Sequence, residues 1–333
     1  MKITLLTLFI LISIGCRQNE KALVTENPKL KVGIQVSPAM TLVMVAEAEG
    51  FFDKQGVDVE LVEFTAGKFA LQAFLSGSID IAVSGEVPVC LSTLQGNKFH
   101  VIAQVVERTT NECRVVVRNE DGPVDASRYF HKKKRKLSTS FGGGPEFFTY
   151  NFLKKNGIAF DKVELVSQKP EDMPAALESG SVDAISIFDP FARIAELKMG
   201  SGAITYADSS LYSELYVCDV MEETISEKPD ALRSFLRGLV DAELFISENP
   251  DEAKKIMMEY TKLDRQVVDD IWDNFVFAPS LNDLLIDYLT AEANWALEKG
   301  TFPASTPIPN FRTVVYSDLL LDVAPSNVQL SSE

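Results

Sequence analysis

A short segment of this chain occurs twice, and this repeat limits the folds that the chain can adopt. Residues 76–82 (SGSIDIA) return 103 positions later as residues 179–185 (SGSVDAI). A second similarity, residues 59–62 (VELV) and 163–166 (VELV), has nearly the same offset. Glycine followed by an acid and apolar residues is typical of a helix end that leads into a strand. The repeat predicts two related α/β lobes, and a chance similarity of small residues is the alternative.

Strand-like and helix-like segments alternate around the repeat. Residues 29–36 (KLKVGIQV) and 57–64 (VDVELVEF) are rich in β-branched residues and predict strands. Helical patterns follow each of them, over residues 38–50 and 67–76. Because strands that alternate with helices form parallel sheets, we predict an α/β fold with a doubly wound sheet in each lobe.

Two further strand-like runs are expected to connect the lobes. Residues 113–118 (CRVVVR) would cross from the first lobe to the second, and residues 215–220 (LYVCDV) would cross back. Apolar residues at helical spacing predict C-terminal helices at residues 229–248, 251–260, 281–289 and 291–299. The predicted division is lobe 1 at residues 29–116 and 217–310, lobe 2 at residues 117–216, and a loosely attached C-terminal tail at residues 311–333.

The N-terminus has the features of an export signal. Lys2 precedes an apolar run over residues 3–14, which is too short to span a bilayer comfortably. The following cysteine completes Ser-Ile-Gly-Cys, which resembles a bacterial lipobox with Cys16 as the lipid attachment site. Leucine is more usual than Ser13 there, and a plain secretory signal or a core segment is the alternative. Residues 1–16 then form the signal and residues 17–28 a polar tether. We expect a lipid-anchored protein outside the cytoplasmic membrane.

Composition argues against several functions. The chain has 48 acidic and 32 basic residues, a net charge of −16, and such a surface repels nucleic acid. It has two histidines, so we expect no histidine-rich metal site. The basic run at residues 131–136 is interpreted as the solvated entry to a strand. The sequence lacks G-x-S-x-G, H-E-x-x-H and Cys/His patterns, so we predict no catalytic residue, no cofactor and no enzyme activity. Cys90, Cys113 and Cys218 are expected to be small buried residues.

Candidate ligand contacts follow the strands, because ligands of open α/β sheets bind at the carboxyl ends of strands. Four loops meet this rule, and their candidate residues are Ser37, Ala39 and Met40 in the first, Ser84 and Glu86 in the second, Gly143, Gly144 and Glu146 in the third, and Phe188 and Asp189 in the fourth. Arg108 and Asn111, which follow a predicted strand at residues 101–106, would supply positive charge or hydrogen bonds. A surface role is the alternative for these two.

Glycines and acids in these loops indicate the chemistry of a ligand. Residues 142–144 (GGG) precede Pro145 and a helix, so bare backbone N–H groups could bind a carboxylate, sulfonate or phosphate. A flexible turn is the alternative. Glu86 and Asp189 occupy matching places in the two lobes and would bind an ammonium group or a heterocyclic cation, or each would cap a helix.

Several segments resemble one family, the substrate-binding proteins of ABC importers for sulfonates, taurine, nitrate or pyrimidine precursors of thiamine. The similar segments are residues 50–61 (GFF and GVDVEL), 75–80 (LSGSID), 176–191 (ending in FDPF) and 235–250 (FLRGLVDAELFISENP). The resemblance covers residues 30–300. It implies a two-lobed class II periplasmic-binding fold, with a mixed, mainly parallel sheet flanked by helices in each lobe.

The resemblance also implies a monomeric receptor that closes on a solute and hands it to a membrane permease. Phe188 stands where many sulfonate binders have tryptophan, and Glu86 stands where small or neutral residues are common. These departures favour an amine-bearing, zwitterionic or pyrimidine-like solute. A sulfonate, taurine or nitrate ligand is the alternative. A thiamine-pyrimidine synthase-like enzyme or a sensory lipoprotein are further alternatives.

Overall fold

The structure is a computed structural model that describes residues 27–108, 113–120 and 122–331. The predicted signal and lipobox with Cys16, the tether up to residue 26, and Asn111 lie outside the described residues.

Two mixed sheets organise the described residues. Their twelve strands are β1 Lys29–Gln35, β2 Asp58–Phe64, β3 Ile81–Gly85, β4 His100–Arg108, β5 Arg114–Arg118, β6 Arg135–Thr139, β7 Val163–Ser167, β8 Ala184–Ile187, β9 Ala203–Ala207, β10 Leu215–Val220, β11 Phe275–Asn282 and β12 Val328–Gln329. The first sheet has the order β12-β11-β4-β10-β3-β1-β2 and the second β7-β6-β8-β5-β9. Strands β1–β4 point one way in the first sheet and β6–β9 in the second, and the other strands run antiparallel to them. Each sheet is therefore mixed, as predicted, with as many antiparallel as parallel neighbouring pairs.

Helices cover both sheets. The fourteen α-helices of the described chain are α1 Thr41–Ala48, α2 Phe51–Lys54, α3 Gly67–Leu75, α4 Glu86–Leu94, α5 Ala126–Lys132, α6 Gly144–Lys155, α7 Met173–Ser179, α8 Phe191–Met199, α9 Glu222–Glu227, α10 Pro229–Glu248, α11 Pro250–Thr261, α12 Arg265–Ile271, α13 Asp283–Glu298 and α14 Asp318–Val323. We call residues 27–108 and 215–331 lobe 1, and residues 113–120 and 122–214 lobe 2. None of the helices found within these ranges is long and apolar enough to cross a bilayer.

The internal repeat is a structural repeat. Gly77 and Gly180 each follow a helix with a positive φ, +75° and +77°, a conformation that favours glycine. Asp80 accepts a hydrogen bond from the Lys31 N–H at 2.8 Å, and Asp183 accepts one from the Lys136 N–H at 2.8 Å. Each acid therefore ties its strand to the neighbouring parallel strand, which explains why the motif occurs once in each lobe.

The connection between the lobes differs in detail from the prediction. Strand β5 lies wholly in the second sheet and β10 wholly in the first, so neither strand crosses between lobes. The sheet changes between Arg108 and Arg114 and again between Ala207 and Leu215, a few residues away from the predicted boundaries. An antiparallel strand inserted between parallel neighbours has the same apolar pattern as a crossover, which is why sequence did not separate them.

The C-terminal region also differs from the prediction. Residues 275–282 form β11, and one helix, α13, replaces the two predicted at residues 281–289 and 291–299. A loosely attached tail is wrong for the described residues 311–331, because Phe311, Leu319 and Leu320 are buried and β12 pairs with β11. Burial of these apolar side chains in lobe 1 holds the segment in place.

Each lobe has its own apolar core, and two helices of lobe 1 also reach the other core. Val87 of α4 and Trp295 and Ala296 of α13 pack among the buried residues of lobe 2. Cys90, Cys113 and Cys218 are buried as predicted, and these three described cysteines form no disulfide. The lobes therefore meet through apolar contacts along α4 and α13.

Candidate functional site

A cleft lies between the lobes at the carboxyl ends of their parallel strands. Its lining residues come from the ends of β1 and β3, from the segments that follow β2, β3, β6, β7 and β8, and from the start of β10: Gln35, Ala66, Gly67, Lys68, Gly85, Pro88, Ser140, Gly143, Gly144, Pro145, Pro170, Phe188, Glu214 and Tyr216. The cavity volume is about 30 Å³, which is room for one or two water molecules. A solute of several heavy atoms therefore enters only when the lobes move apart.

One side chain, that of Gln35, organises the wall formed by lobe 1. Its Nε2 donates to the Ser37 Oγ and to the Tyr216 hydroxyl, both at 2.8 Å, and its Oε1 accepts from the Gly67 N–H at 2.8 Å. A Cβ at Gly67 would lie 3.2 Å from the Cα of Ser84. A side chain at position 67 would therefore push α3 a few tenths of an ångström away from β3, and glycine permits the closer approach.

The glycine-rich loop forms the wall of lobe 2. Gly142 has a positive φ of +76°, and its N–H donates to the Glu146 Oε2 at 2.8 Å. Helix α6 begins at Gly144 with Gly143 as its N-cap residue. The positive end of the α6 dipole therefore faces the cleft, as is suitable for an anionic group.

Lys68 and Glu214 are the charged side chains among the described residues that line the cleft. The Lys68 Nζ donates to the Phe141 carbonyl oxygen at 2.8 Å, across the lobes. Burial lowers the pKa of Lys68, and the Glu146 carboxylate opposes this shift. Glu214 is 4% exposed, and a Cβ at Gly85 would lie 3.4 Å from its Oε1. The cleft thus contains one cation and one anion.

A buried acidic pair lies behind this wall. Glu86 accepts hydrogen bonds from the Tyr212 hydroxyl and from the Leu215 N–H, the latter at 2.9 Å. Burial and the neighbouring Glu214 carboxylate raise the pKa of Glu86 to about 8. Burial and the Glu86 carboxylate raise the pKa of Glu292 well above its usual range. Ionising both of two neighbouring buried carboxylates costs much free energy. The pair of Glu86 and Glu292 therefore retains a proton at neutral pH.

The structure places the predicted site residues in several environments. Gly143, Gly144 and Phe188 line the cleft, whereas Ala39 and Met40 are fully buried in the core of lobe 1. Ser37 lies behind Gln35, and the Ser84 Oγ donates to the Asp219 Oδ2 at 2.6 Å. Glu86 is fully buried behind the cleft wall, and Glu146 is held by the Gly142 N–H and by the Lys299 ammonium group.

Arg108 and Asp189, two charged residues predicted to contact a ligand, instead contact other residues of the protein. The Arg108 guanidinium lies 4.3 Å from the centre of the Phe275 ring, and its side chain is 1% exposed. Arg114 donates to both oxygens of Asp189, at 2.9 and 2.8 Å. Asp189 lines a different depression, together with Arg193, Glu196 and Asp270. The structure therefore does not bring Arg108 or Asp189 to the cleft.

Sequence reasoning missed Lys68, Glu214 and Tyr216. Lys68 follows the end of β2 by four residues, so the rule that selected the other loops could have found it. Tyr216 pairs with Gly85, because an antiparallel strand begins at the edge where its parallel neighbours end. The antiparallel direction of β10 is the signal that would have placed Glu214 and Tyr216 at the site.

Comparisons with known proteins agree with this architecture. The model of the NMT1-like family matches residues 24–260. A Bacillus subtilis (strain 168) protein named "Putative aliphatic sulfonates-binding protein" is 25% identical over 78% of this chain and 76% of its own. The "Taurine-binding periplasmic protein" of Escherichia coli (strain K12) is 24% identical over 66% of this chain and 68% of its own. The crystal structure of the periplasmic aliphatic sulphonate binding protein SsuA from Escherichia coli superposes with a TM-score of 0.73, at 18% identity over 92% and 94% of the chains. The predicted periplasmic-binding fold is confirmed.

Proposed function

This chain belongs to the NMT1-like family, and from that membership we propose that it is an extracytoplasmic solute-binding protein that delivers a small polar solute to an ABC importer. The observation that carries this proposal is the interlobe cleft, which both lobes line with polar side chains and helix N-termini. The proposal includes no enzyme activity and no cofactor. The protein acts as a monomer, with lobe 2 inserted into lobe 1.

Closure of the lobes is the mechanism that we propose. Contacts that join the lobes in this closed arrangement include Lys68 with the Phe141 carbonyl, Tyr212 with Glu86, and Arg193 with Asp270 at 2.6 Å. The solute must bind the closed arrangement more strongly than the open one, since only differential affinity shifts the population. The closed form is then the one that the permease recognises.

The solute class follows from the cleft and from the relatives. A small polar organic solute that is amine-bearing, zwitterionic or pyrimidine-like fits a lining with both a carboxylate and an ammonium group. A sulfonate, taurine or nitrate ligand is the second candidate, and the names of the relatives support it. Both candidates place an anionic group at the N-terminus of α6.

Anchoring through Cys16 is a separate part of the proposal. The lipobox-like sequence at residues 13–16 supports a protein held by lipid outside the cytoplasmic membrane. Expression of the full chain in a bacterial host with labelled palmitate should give a labelled membrane-bound protein. Cys16→Ser should release an unlabelled protein into the soluble fraction, and unchanged labelling of that variant would refute the anchor.

Identification of a retained solute tests the proposed function. The chain from residue 17 onward is purified, denatured and analysed for released small molecules by mass spectrometry. The released compound should then stabilise the refolded protein by roughly 3 kcal/mol at a hundredfold excess over Kd. If no compound is released and no amine, pyrimidine, sulfonate or nitrate stabilises the protein, the receptor function is rejected in favour of a sensory lipoprotein.

A further inference from the structure

Glu214 is a buried acidic side chain, and the described protein leaves one of its two oxygens without a hydrogen-bond donor. The residue is 4% exposed, and its Oε2 is buried without a hydrogen-bond donor among residues 27–108, 113–120 and 122–331. A buried carboxylate without a donor loses the free energy of its hydration. A ligand with N–H donors would restore these hydrogen bonds, and Glu214 lines the cleft where a ligand would lie.

The neighbours of Glu214 on α4 and α13 are acids rather than cations. Glu86 of α4 lies close enough for the Glu214 carboxylate to raise its pKa, and Glu292 of α13 adds a third acid to the cluster. The neighbouring Tyr212 hydroxyl donates its hydrogen bond to Glu86 rather than to Glu214. No group of acids, cysteines or histidines in the described residues is arranged to hold a metal ion. An organic cation therefore fits this end of the cleft better than a metal.

The opposite charge lies elsewhere in the same cleft. Lys68 contacts the Phe141 carbonyl beside the glycine-rich loop, and a lysine ammonium has two further N–H donors. Gly143 and Gly144 at the start of α6 add backbone N–H groups at that wall. One end of the cleft thus suits an anion and the other suits a cation.

We propose that Glu214 binds the ammonium group of a zwitterionic solute, whose anionic group lies against Lys68 and the N-terminus of α6. This inference rests on the proposed solute-binding function and names the class of solute. It makes Glu214 the residue that selects amines over neutral or purely anionic compounds of the same shape.

Paired compounds test this selection. Taurine and isethionate share a sulfonate on a two-carbon chain and differ in the ammonium or hydroxyl group at the other end. β-Alanine and 3-hydroxypropionate form the same pair with a carboxylate. Affinities are measured by isothermal titration calorimetry on the chain from residue 17 onward. The wild type should bind the amine of at least one pair at least about tenfold more tightly than its hydroxyl partner, as a charged hydrogen bond implies.

Three variants locate the effect. Glu214→Gln should weaken the amine about tenfold or more and leave the hydroxyl partner unchanged or tighter. Lys68→Met should weaken both members by a similar factor. Glu171→Gln, an equal charge change at an exposed residue near the cleft, should change neither affinity. Thermal unfolding of each variant confirms that the protein remains folded.

The outcomes separate this inference from the receptor function. Equal binding of amine and hydroxyl compounds, or unchanged amine affinity in Glu214→Gln, would overturn the role of Glu214 while the cleft remains a binding site. Failure of the wild type to bind either pair would overturn the zwitterion assignment. The retained-solute experiment would still decide the proposed function in that case.

Discussion

Tyr212 lies directly against Gly144, so a methyl group at position 144 would overlap the tyrosine hydroxyl and ring. The same hydroxyl donates to Glu86 of lobe 1. Tyr212 is therefore fixed between the first turn of α6 and the first turn of α4. The glycine at position 144 permits Tyr212 to lie this close to α6 within lobe 2 and so to reach Glu86 of lobe 1, in addition to any role of its N–H group.

Gly144→Ala should destabilise the protein by about 1–3 kcal/mol, because Tyr212 must move away from Glu86. Urea unfolding measures this loss. Gly143→Ala is the matched control, since its Cβ would meet only ordinary contacts at 3.7 Å and beyond. Equal stability of the two variants would show that Tyr212 can rearrange without cost.

Glu292→Gln should reduce the loss of stability at alkaline pH. The folded pKa of Glu86 is about 8, above its usual 4.5, so the folded state binds more protons than the unfolded state between these values. The free energy of unfolding of the wild type therefore falls as pH rises from about 5 to 8. Burial and the Glu86 carboxylate also raise the pKa of Glu292, so Glu292 too takes up a proton on folding at alkaline pH. Replacing Glu292 with a neutral amide removes this uptake and should make the variant more stable than the wild type at pH 9, by about 1–3 kcal/mol.

Unfolding in urea at pH 6 and pH 9 measures this difference. Asp287→Asn changes an exposed acid on the same helix and should follow the wild type at both pH values. A Glu292→Gln variant that loses as much stability as the wild type would show that Glu292 takes up no proton on folding.

Lys299→Met should loosen the closed arrangement of the lobes. It removes the ammonium partner of the buried Glu146 carboxylate, and an unpaired buried carboxylate costs about 1–3 kcal/mol. Small-angle X-ray scattering should show a larger radius of gyration without solute. Lys154→Met is the control, because Lys154 and Glu298 are both more than half exposed and such pairs contribute little. Similar expansion in both variants would contradict a specific role for Glu146 and Lys299.

Asp189→Asn should lower stability without changing solute affinity. Asp189 is 1% exposed and neutralises the Arg114 guanidinium, so loss of its charge should cost about 3 kcal/mol in urea unfolding. Calorimetry with the retained solute should give a Kd within about twofold of the wild type. A large loss of affinity with unchanged stability would instead place Asp189 at the ligand.

Much of the fold could be predicted because local patterns agree with the tertiary structure. Helix α10 begins at Pro229 and ends at Glu248 as predicted, since a proline in its first turn and a long amphipathic stripe define it locally. Strand β11 was missed because its residues alternate only weakly in polarity. Its position is set by pairing with β4, a partner that lies far away in sequence and leaves no local signal.

The sequence could predict which loops form the candidate site, but it could not predict which side chains point into the cleft. The ends of β1 and β3, at Gln35 and Gly85, and the loop at residues 141–146 do line the cleft. Which way an acid points depends on donors from distant segments. Glu86 turns towards the Leu215 N–H, and Asp189 turns towards Arg114. No pattern within either loop specifies those partners.

Lobe 2 is inserted in the chain between β4 and β10, and this order has a consequence for biogenesis. Strand β10 occupies the gap between β3 and β4, with partners as distant as Val220 and His100. Lobe 2 is contiguous and can form while the chain emerges, whereas lobe 1 must close a long loop before its sheet is complete. Until residue 220 has emerged, β3 and β4 present unpaired edges that favour aggregation. We expect the nascent chain to depend on a holding chaperone for that interval.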